Sequence, residues 1–213
     1  MEHIDFYFDF LSPYGYLAST RIDALAKRHD CSVRWNPFRI GVAVVKVMGL
    51  RPNMETPLKA PYIERDIARL AAVLGVPLDP VEMKNPLPPA QLFYAAPPEI
   101  AGSLAKAIFR GQWSERRDMS EEANLIEIAK PFGMSEAEVR VAIRSPETRR
   151  LLKDVTEKAI SRGVFGSPTF AIGKELFWGV DRMWLLDHYL SRGQRYTTVS
   201  PAADLEAFCC VPT

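Results

Sequence analysis

The first part of the chain has a strand pattern, then a helix pattern, then a second strand pattern. Residues 4–8 form a nearly continuous apolar run rich in aromatics, which Asp9 ends. Such a run is typical of a strand buried on both faces, as in a parallel sheet. The stretch CSVRWNPF at 31–38 predicts a second strand, ended by Pro37. Between the strands a helix is predicted, because apolar residues recur at helical spacing at Tyr14, Leu17, Ala18, Ile22, Leu25 and Ala26.

The centre of the chain, from about residue 60 to residue 163, has helical patterns and few strand signals. One helix is predicted to open at Pro61 and to close at Gly75, because proline is favoured in a first helical turn and glycine just past a last one. Apolar residues at helical spacing predict two more helices, around 100–108 and 125–129.

Capping signals and proline-rich stretches divide this helical block. SEAE at 135–138 is a capping box. A further helix is predicted from Ser145, its cap, to Gly163, just past its end. The proline-rich stretches NPLPPAQ at 85–91 and APPE at 96–99 predict loops.

Strand signals return after this block. PTFAI at 168–172 and ELFW at 175–178 predict a hairpin, and a last helix follows Asp181. The plan is therefore β-α-β, a helical block, then β-β-α. This is close to the order of elements in a thioredoxin fold, of class α/β, with an all-helical insertion of roughly 120 residues.

This plan divides the chain into separate parts. We predict a discontinuous thioredoxin-like domain, because its strands come from both ends of the sequence. The helical block would form an insertion domain, and the residues after the last helix would form a tail. The predicted bounds are 1–40 and 164–193 for the thioredoxin-like domain, 41–163 for the insertion and 194–213 for the tail.

Composition narrows the possible partners. The 213 residues include 27 basic and 26 acidic side chains, for a net charge of +1. No clustered basic face indicates a nucleic-acid partner, and no apolar run is long enough to span a bilayer. The N-terminus reads as a strand rather than a signal peptide, so a cytoplasmic location is expected by default.

Cysteines and histidines predict no metal site. Cys31, Cys209 and Cys210 form no C-x-x-C motif and no metal-ligand spacing. The adjacent cysteine pair is expected to be free thiols in the tail. The three histidines, His3, His29 and His188, are far apart in the sequence and are expected to be surface residues.

The dipeptide Ser-Pro occurs four times, and one copy shows what the motif means by itself. Ser145-Pro146 starts a charged helix and needs no role beyond capping. Taken alone, Ser12-Pro13 would be interpreted in the same way. Its position differs, because Ser12 follows a buried strand and opens the first helix, where α/β folds bind ligands.

In a thioredoxin-type fold, a C-x-x-C motif would stand at residues 12–15. Here the residues are Ser-Pro-Tyr-Gly, so dithiol chemistry is not available at this position. A serine hydroxyl beside a helix N-terminus can donate a hydrogen bond to a thiolate and lower the pKa of that thiol. The thiol would have to come from another molecule, and glutathione is the obvious supplier.

Three motifs carry a resemblance to a known family. FYFDFLSPYGYLA (6–18), GVFGSPTF (163–170) and FWGVDR (177–182), in this order and spacing, resemble the 2-hydroxychromene-2-carboxylate isomerases. These belong with the kappa-class glutathione transferases and the DsbA-like disulfide oxidoreductases. The resemblance covers about residues 4–190. It implies a thioredoxin domain with a helical insertion, bound glutathione and a homodimer.

The resemblance implies roles for residues in the first half of the chain. Ser12 matches the serine that holds the glutathione sulfur. Asn53, Lys59 and Tyr62 fall in the segment that contacts glutathione, and the K-x-x-Y spacing matches. Without the resemblance they would be a loop asparagine, a solvated lysine and a half-buried helix tyrosine. Lysine is a natural partner for a peptide carboxylate.

Residues near the C-terminal motifs complete the implied site. Ser167-Pro168 matches a cis-proline junction, although only about 5% of X-Pro bonds in folded proteins are cis. The backbone of Ser167 would pair with the glutathione cysteine like an added strand. Asp181 is expected to cap the last helix, and it matches the aspartate that receives the γ-glutamyl ammonium; a carboxylate can do both. A backbone role is expected for Val180.

The implied activity is a glutathione-dependent isomerisation in naphthalene-type aromatic catabolism. A small aromatic substrate, 2-hydroxychromene-2-carboxylate, would become trans-o-hydroxybenzylidenepyruvate, with glutathione as a borrowed nucleophile. The substrate pocket is expected between the two domains. The alternatives are a kappa-type glutathione transferase and a redox-inactive thioredoxin-like binding or chaperone module. A disulfide oxidoreductase is disfavoured, because residue 12 carries no sulfur.

Overall fold

Four strands form one mixed sheet in the computed structural model, which describes residues 2–192. The sheet order is β2-β1-β3-β4. β1 pairs with β2 in parallel, whereas β3 is antiparallel to both β1 and β4. The strands are β1 (His3–Phe8), β2 (Ser32–Pro37), β3 (Thr169–Ile172) and β4 (Glu175–Trp178). The predicted β-α-β and β-β-α units therefore join at the β1–β3 pairing and form a thioredoxin fold.

The helices within the described residues are α1 (Pro13–Ser19), α2 (Ile22–Arg28), α3 (Ala60–Leu74), α4 (Leu87–Ala95), α5 (Pro98–Ser114), α6 (Glu122–Ala129), α7 (Glu136–Ala142), α8 (Pro146–Ser161) and α9 (Met183–Arg192). Short 3-10 turns lie at Asn53–Glu55, Lys130–Phe132 and Val180–Arg182, and Val42–Val47 is π-helical. Helices α3 to α8 all come from the predicted insertion between β2 and β3.

The central position of β1 explains its apolar sequence. Alternate residues of the strand point to opposite faces of the sheet. Phe6 and Phe8 are fully buried in the larger core, where the Phe6 ring lies 5.3 Å from the Phe170 ring of β3. Tyr7 points to the other face, into a smaller cluster that includes Phe38 and Ala159 of α8. Both faces of β1 are therefore covered, as the continuous apolar run predicts.

Several predicted helix boundaries are confirmed by the capping contacts. Gly75 closes α3 in the left-handed conformation, with φ of 63°. The Ser135 capping box is present at the start of α7. The Ser145 hydroxyl accepts hydrogen bonds from two backbone amides in the first turn of α8, and Gly163 follows that helix with φ of 93°.

The loop predicted at 85–91 is wrong, because α4 begins at Leu87. Its prolines, Pro88 and Pro89, occupy the first turn, where a missing N–H group costs no helical hydrogen bond. The rest of this helix is needed to fill the core, since Leu92 and Phe93 are buried. Burial on tertiary packing outweighs a proline-rich composition here.

The single helix predicted between β1 and β2 is two helices, with a break at Thr20 and Arg21. The Ser19 hydroxyl donates to the Tyr16 carbonyl at 2.6 Å, and the Thr20 hydroxyl donates to the Leu17 carbonyl at 2.7 Å. Such side-chain bonds compete with the helical ladder for the same carbonyl oxygens. The periodic apolar pattern continues across the break, because both helices pack on the same core.

Membrane-spanning helices and clusters of metal-binding side chains are both absent from the described residues. Within residues 2–192, no helix is long and apolar enough to cross a membrane. In the same range, no cluster of three or more histidine, cysteine or acidic side chains could hold a metal ion. The prediction of free thiols at Cys209 and Cys210, and the predicted tail at 194–213, lie outside the described residues.

Candidate active site

Ser12 is the N-cap of α1, as the sequence predicts. Its backbone is extended, with φ of −92° and ψ of 114°, and its hydroxyl oxygen accepts a hydrogen bond from the Gly15 amide at 3.1 Å. The same hydroxyl donates to the backbone carbonyl of Ser167 at 2.9 Å. Ser12 is buried, so both hydrogen bonds are shielded from water. The serine therefore both caps its helix and links that helix to a distant loop.

The loop before β3 supplies the other half of this junction. The Ser167–Pro168 peptide bond is cis. The Ser167 hydroxyl accepts a hydrogen bond from the Asp9 amide at 3.0 Å, and the Pro168 carbonyl accepts one from the Gly179 amide at 2.9 Å. The end of β1, the start of α1 and the loop before β3 thus meet at one place.

Gly15 allows this close approach. A side-chain carbon added at this position would lie 3.2 Å from the Ser167 hydroxyl oxygen and 3.3 Å from the ring of Phe109. Both distances are tighter than ordinary van der Waals contact. A glycine in the first turn of α1 therefore lets the helix pack directly against Ser167 and α5.

Asp9 lies beneath the junction with a buried carboxylate. One carboxylate oxygen accepts a hydrogen bond from the Leu11 amide at 3.0 Å, and the other accepts one from the Ile40 amide at 2.9 Å. Burial raises the pKa of Asp9 to about 6, against the opposing effect of these two hydrogen bonds and of the nearby Arg39 charge. The carboxylate is therefore mostly ionised at neutral pH, in an environment that disfavours its charge.

Tyr14 joins α1 to the predicted insertion. Its hydroxyl donates to a carboxylate oxygen of Asp66 on α3 at 2.9 Å. Burial, this hydrogen bond and the negative charges of Asp66 and Asp181 raise the pKa of Tyr14, so the phenol stays protonated. Tyr62, also on α3, has its hydroxyl 3.5 Å from the same carboxylate. Tyr14 thus lies between the α3 residues and the 3-10 turn that carries Asp181.

Asn53 and Lys59 contact each other in the segment that precedes α3. The Lys59 ammonium donates to the side-chain carbonyl of Asn53 at 3.2 Å, and both residues are exposed. This partner is a neutral amide, so the contact leaves the positive charge of Lys59 uncompensated. Lys59 occupies the N-cap position of α3, with Pro61 in the first turn.

The prediction that Asp181 caps α9 is wrong in position. Asp181 lies inside the 3-10 turn Val180–Arg182, whereas α9 begins at Met183, so Arg182 holds the N-cap position. The exposed Asp181 carboxylate pairs with the Arg182 guanidinium at 2.7 Å. It also lies over Gly179, whose φ is 106° and where a side-chain carbon would come within 2.3 Å of a carboxylate oxygen. Val180 is half-buried in the same turn.

Three residues of this region were not identified from the sequence as site residues. The sequence pattern marks Asp9 only as the end of a strand and Tyr14 only as part of an apolar helix face, while Asp66 carries no motif. A polar residue directly after a buried strand, at the edge where α/β folds bind ligands, was the available signal for Asp9. No sequence signal pairs Tyr14 with Asp66, because their contact depends on how α3 packs on α1.

A surface cavity of about 610 Å³ lies at the opposite end of α1. It is lined by Tyr16 and Thr20 of the α1 region, by Lys106 and Arg110 of α5, and by Phe132. None of the sequence-predicted site residues lines it. The candidate site is therefore identified by its converging polar groups and not by cavity size.

Comparisons with known proteins agree with this fold. A family model described as a DSBA-like thioredoxin domain matches residues 3–191. A 2-hydroxychromene-2-carboxylate isomerase from Sphingobium xenophagum is 31% identical over 189 residues, which cover 88% of this chain and 97% of the relative. The human glutathione S-transferase kappa 1 is 25% identical over 217 residues, covering 94% and 95%. A solved structure of 2-hydroxychromene-2-carboxylate isomerase superimposes with a TM-score of 0.80 at 28% identity, covering 89% of this chain and 95% of that one.

Proposed function

The chain belongs to the DSBA-like thioredoxin domain family, and we propose that it is a glutathione-dependent isomerase. Its substrate in this proposal is 2-hydroxychromene-2-carboxylate and its product is trans-o-hydroxybenzylidenepyruvate. The observation that carries the proposal is the hydrogen bond between the Ser12 hydroxyl and the Ser167 carbonyl. Ser12 is also the N-cap of α1, so a hydroxyl, and no sulfur, stands at the helix N-terminus where a thioredoxin-type fold would carry a C-x-x-C motif.

The predicted binding residues carry polar groups that complement those of glutathione. The tripeptide carries two carboxylates, one ammonium group, peptide groups and a thiol. Lys59 offers an exposed positive charge whose contact is a neutral amide. Asp181 offers an exposed carboxylate in the turn before α9. The Ser167 backbone, beside the cis-proline, offers pairing groups to an extended peptide.

Ser12 is the residue that would act on the thiol. Its hydroxyl has one proton, which is now directed to the Ser167 carbonyl. To donate to a sulfur, this proton must turn away from Ser167, while the Gly15 amide keeps the oxygen in place. The N-terminus of α1 adds partial positive charge at the same point. Both effects favour a thiolate over a thiol and lower its pKa.

When bound, glutathione supplies the nucleophile of the reaction and is regenerated at its end. The other proposed binding residues orient it. Asn53, Lys59 and Tyr62 would contact one end of the peptide, and Asp181 with the Val180 backbone would contact the other. Pro168 would hold the Ser167 backbone in the orientation that pairs with the cysteine. The substrate would then meet a thiolate whose position is set from several sides.

The direct test measures isomerisation of 2-hydroxychromene-2-carboxylate by the purified protein with and without added glutathione. We expect rapid conversion with glutathione and a rate near the uncatalysed one without it. Isothermal titration calorimetry should show binding of glutathione in the absence of substrate. Equal rates with and without glutathione, in protein freed of it by dialysis, would contradict the proposal.

A transferase endpoint is the second candidate, because the human kappa-class relative covers nearly the whole chain. Product analysis separates the two. An isomerase releases a product with the mass of the substrate, whereas a transferase releases a stable glutathione adduct. A redox-inactive binding module would give neither product, and calorimetry would show no glutathione binding.

A further inference from the structure

Two buried carboxylates, Asp5 in β1 and Asp9 just after it, differ in how their negative charges are compensated. Asp5 is 7% exposed and contacts two cations, with Arg34 at 2.8 Å and Arg162 at 2.5 Å. Asp9 is 5% exposed, and its carboxylate contacts are the two backbone amides of Leu11 and Ile40. A buried charge held only by neutral donors is costly, so its retention calls for a reason other than stability.

The backbone of Asp9 contacts both serines of the candidate site. Its amide donates to the Ser167 hydroxyl at 3.0 Å, and its carbonyl accepts a hydrogen bond from the Ser12 amide at 2.9 Å. The Ser12 hydroxyl in turn donates a hydrogen bond to the Ser167 carbonyl, so the three residues form a closed ring of hydrogen bonds. The backbone of Asp9 therefore holds both Ser12 and Ser167.

The side chain of Asp9 fixes that orientation from two directions. Through Leu11 it holds the turn between β1 and Ser12. Through Ile40 it holds the start of the helical segment that continues as the π-helix Val42–Val47. That segment exposes apolar side chains, with Val45 48% and Val47 60% exposed, and it leads to Asn53. The Asp9 carboxylate thus connects the turn that carries Ser12 to the 40–47 segment, which exposes apolar side chains.

We propose that Asp9 is a positioning residue of the isomerisation, whose ionised carboxylate holds Ser12, Ser167 and the 40–47 segment in their working arrangement. This inference rests on the proposed function and assigns a role to a residue outside the proposed glutathione contacts. The carboxylate itself needs no contact with glutathione or substrate. Its effect passes through the two amides that it binds.

The arrangement has a defined pH dependence. Two acceptor oxygens face two donors, so the ionised form satisfies both amides. A protonated carboxyl would turn a donor toward one of them and lose that hydrogen bond. The pKa of Asp9 is about 6, and the charged side chain that faces it among the described residues is Arg39. The contacts of Asp9 with Ser167 and Ser12 are made by its backbone amide and carbonyl and add no charged group. Activity should therefore fall on acidification through about pH 6.

The test compares Asp9→Asn with Asp5→Asn, at saturating glutathione. Asparagine is nearly isosteric, but its amide group can accept from only one of the two backbone donors. We expect Asp9→Asn to lower kcat by at least tenfold and to remove the inflection near pH 6 from the kcat profile. Its Tm at pH 7.5 should not fall below that of the wild type, because asparagine carries no buried charge. Asp5→Asn should lower Tm, because two cations lose a partner, while kcat stays within twofold of the wild type.

Two outcomes would overturn the proposal: wild-type kcat and pH profile in Asp9→Asn, or a loss of activity that follows a loss of folding in both variants equally. A measurement on the wild type covers the case in which Asp9→Asn does not fold. The amide proton shifts of Leu11 and Ile40, followed by NMR, should titrate with a common midpoint near pH 6. Absence of that midpoint would also overturn it.

The same design separates this inference from the proposed function. If the wild type shows no glutathione-dependent isomerisation, the proposed function fails, and with it the catalytic part of the role given to Asp9. The amide titration is independent of activity. It still decides whether the carboxylate anchors the Ser12 turn and the 40–47 segment.

Discussion

The Ser12 hydroxyl donates a hydrogen bond to the backbone carbonyl of Ser167 at 2.9 Å, across a sequence separation of 155 residues. This contact joins the first turn of α1 to the cis-proline loop before β3. Both residues are buried, and Gly15 keeps the space between them small. The proposed chemistry of the protein depends on this junction.

Removing the Ser12 hydroxyl should separate capping from catalysis. We expect Ser12→Ala to lower kcat by about 100-fold, since it deletes a donor aimed at a developing or stabilised anion. The free energy of unfolding should fall by about 1 kcal/mol through the lost cap. Steady-state assays and urea denaturation measure the two effects.

Ser145→Ala is the matched control for this variant. Ser145 is also an N-cap serine followed by proline, and its hydroxyl also accepts from first-turn amides. It should lose a similar free energy of unfolding while keeping full activity. Wild-type activity in Ser12→Ala would leave Ser12 with the capping role alone.

Asp9 should make the stability of the protein depend on pH. Its folded-state pKa of about 6 is above the ordinary value of 3.8. Its contribution is therefore fully present below the unfolded pKa and is lost as pH rises through the folded pKa, a total of about 3 kcal/mol. Between pH 4.5 and 7.5 the wild type should lose about 2 kcal/mol from this group. Urea unfolding of the wild type and of Asp9→Asn at both pH values isolates the contribution of Asp9 to the free energy of unfolding. If the free energy changes equally with pH in the two proteins, Asp9 is not the group responsible.

The Tyr14–Asp66 hydrogen bond should tie α1 to α3. Tyr14→Phe removes it, and we expect the free energy of unfolding to fall by about 1 kcal/mol. Because α1 carries Ser12 and α3 carries Tyr62, the affinity for glutathione should fall as well, as measured by calorimetry.

Tyr16→Phe is the comparison for Tyr14→Phe. Its hydroxyl donates to the Pro77 carbonyl at 2.9 Å, from the same helix but away from the candidate site. A similar loss of stability with unchanged glutathione affinity is expected for this variant. If both variants bind glutathione as the wild type does, the Tyr14 contact is structural only.

Enlarging Gly15 should disturb the junction directly. The added carbon of Gly15→Ala would lie 3.2 Å from the Ser167 hydroxyl oxygen, so Ser167 or α1 must shift by a few tenths of an ångström. Alanine gains up to about 1 kcal/mol of helix propensity, which offsets part of the crowding. We expect stability close to that of the wild type and a clear loss of kcat. Unchanged kcat in a folded Gly15→Ala protein would show that the spacing between Ser12 and Ser167 is not critical.

Local patterns were sufficient to predict much of the fold. The apolar run at 4–8 predicted a strand covered on both faces, and β1 is the inner strand that pairs with β2 and β3. The Ser135 and Ser145 caps were predicted because a cap depends only on residues within one helical turn. The element order was enough to predict the thioredoxin fold with its inserted helices.

Patterns failed where packing outweighed local preference. The proline-rich stretch before Ala90 became the first turn of α4, because the residues after it fill the core. The predicted cap Asp181 lies in a 3-10 turn instead, beside Gly179 with its positive φ. Neither outcome follows from a window of a few residues, since each depends on what the segment packs against.

Local sequence patterns were enough to predict the strands, most of the helices, the serine caps of α1, α7 and α8, and the absence of a C-x-x-C motif at residues 12–15. These depend on neighbouring residues, through periodicity, backbone preference and local hydrogen bonds. Long-range packing sets the contact of Ser12 with Ser167 and that of Tyr14 with Asp66. It also buries the Asp9 carboxylate between the turn after β1 and the helical segment that starts at Ile40. Such contacts join residues far apart in the chain, and they form only when the pairing of β1 with β3 and the packing of α1 bring those residues together.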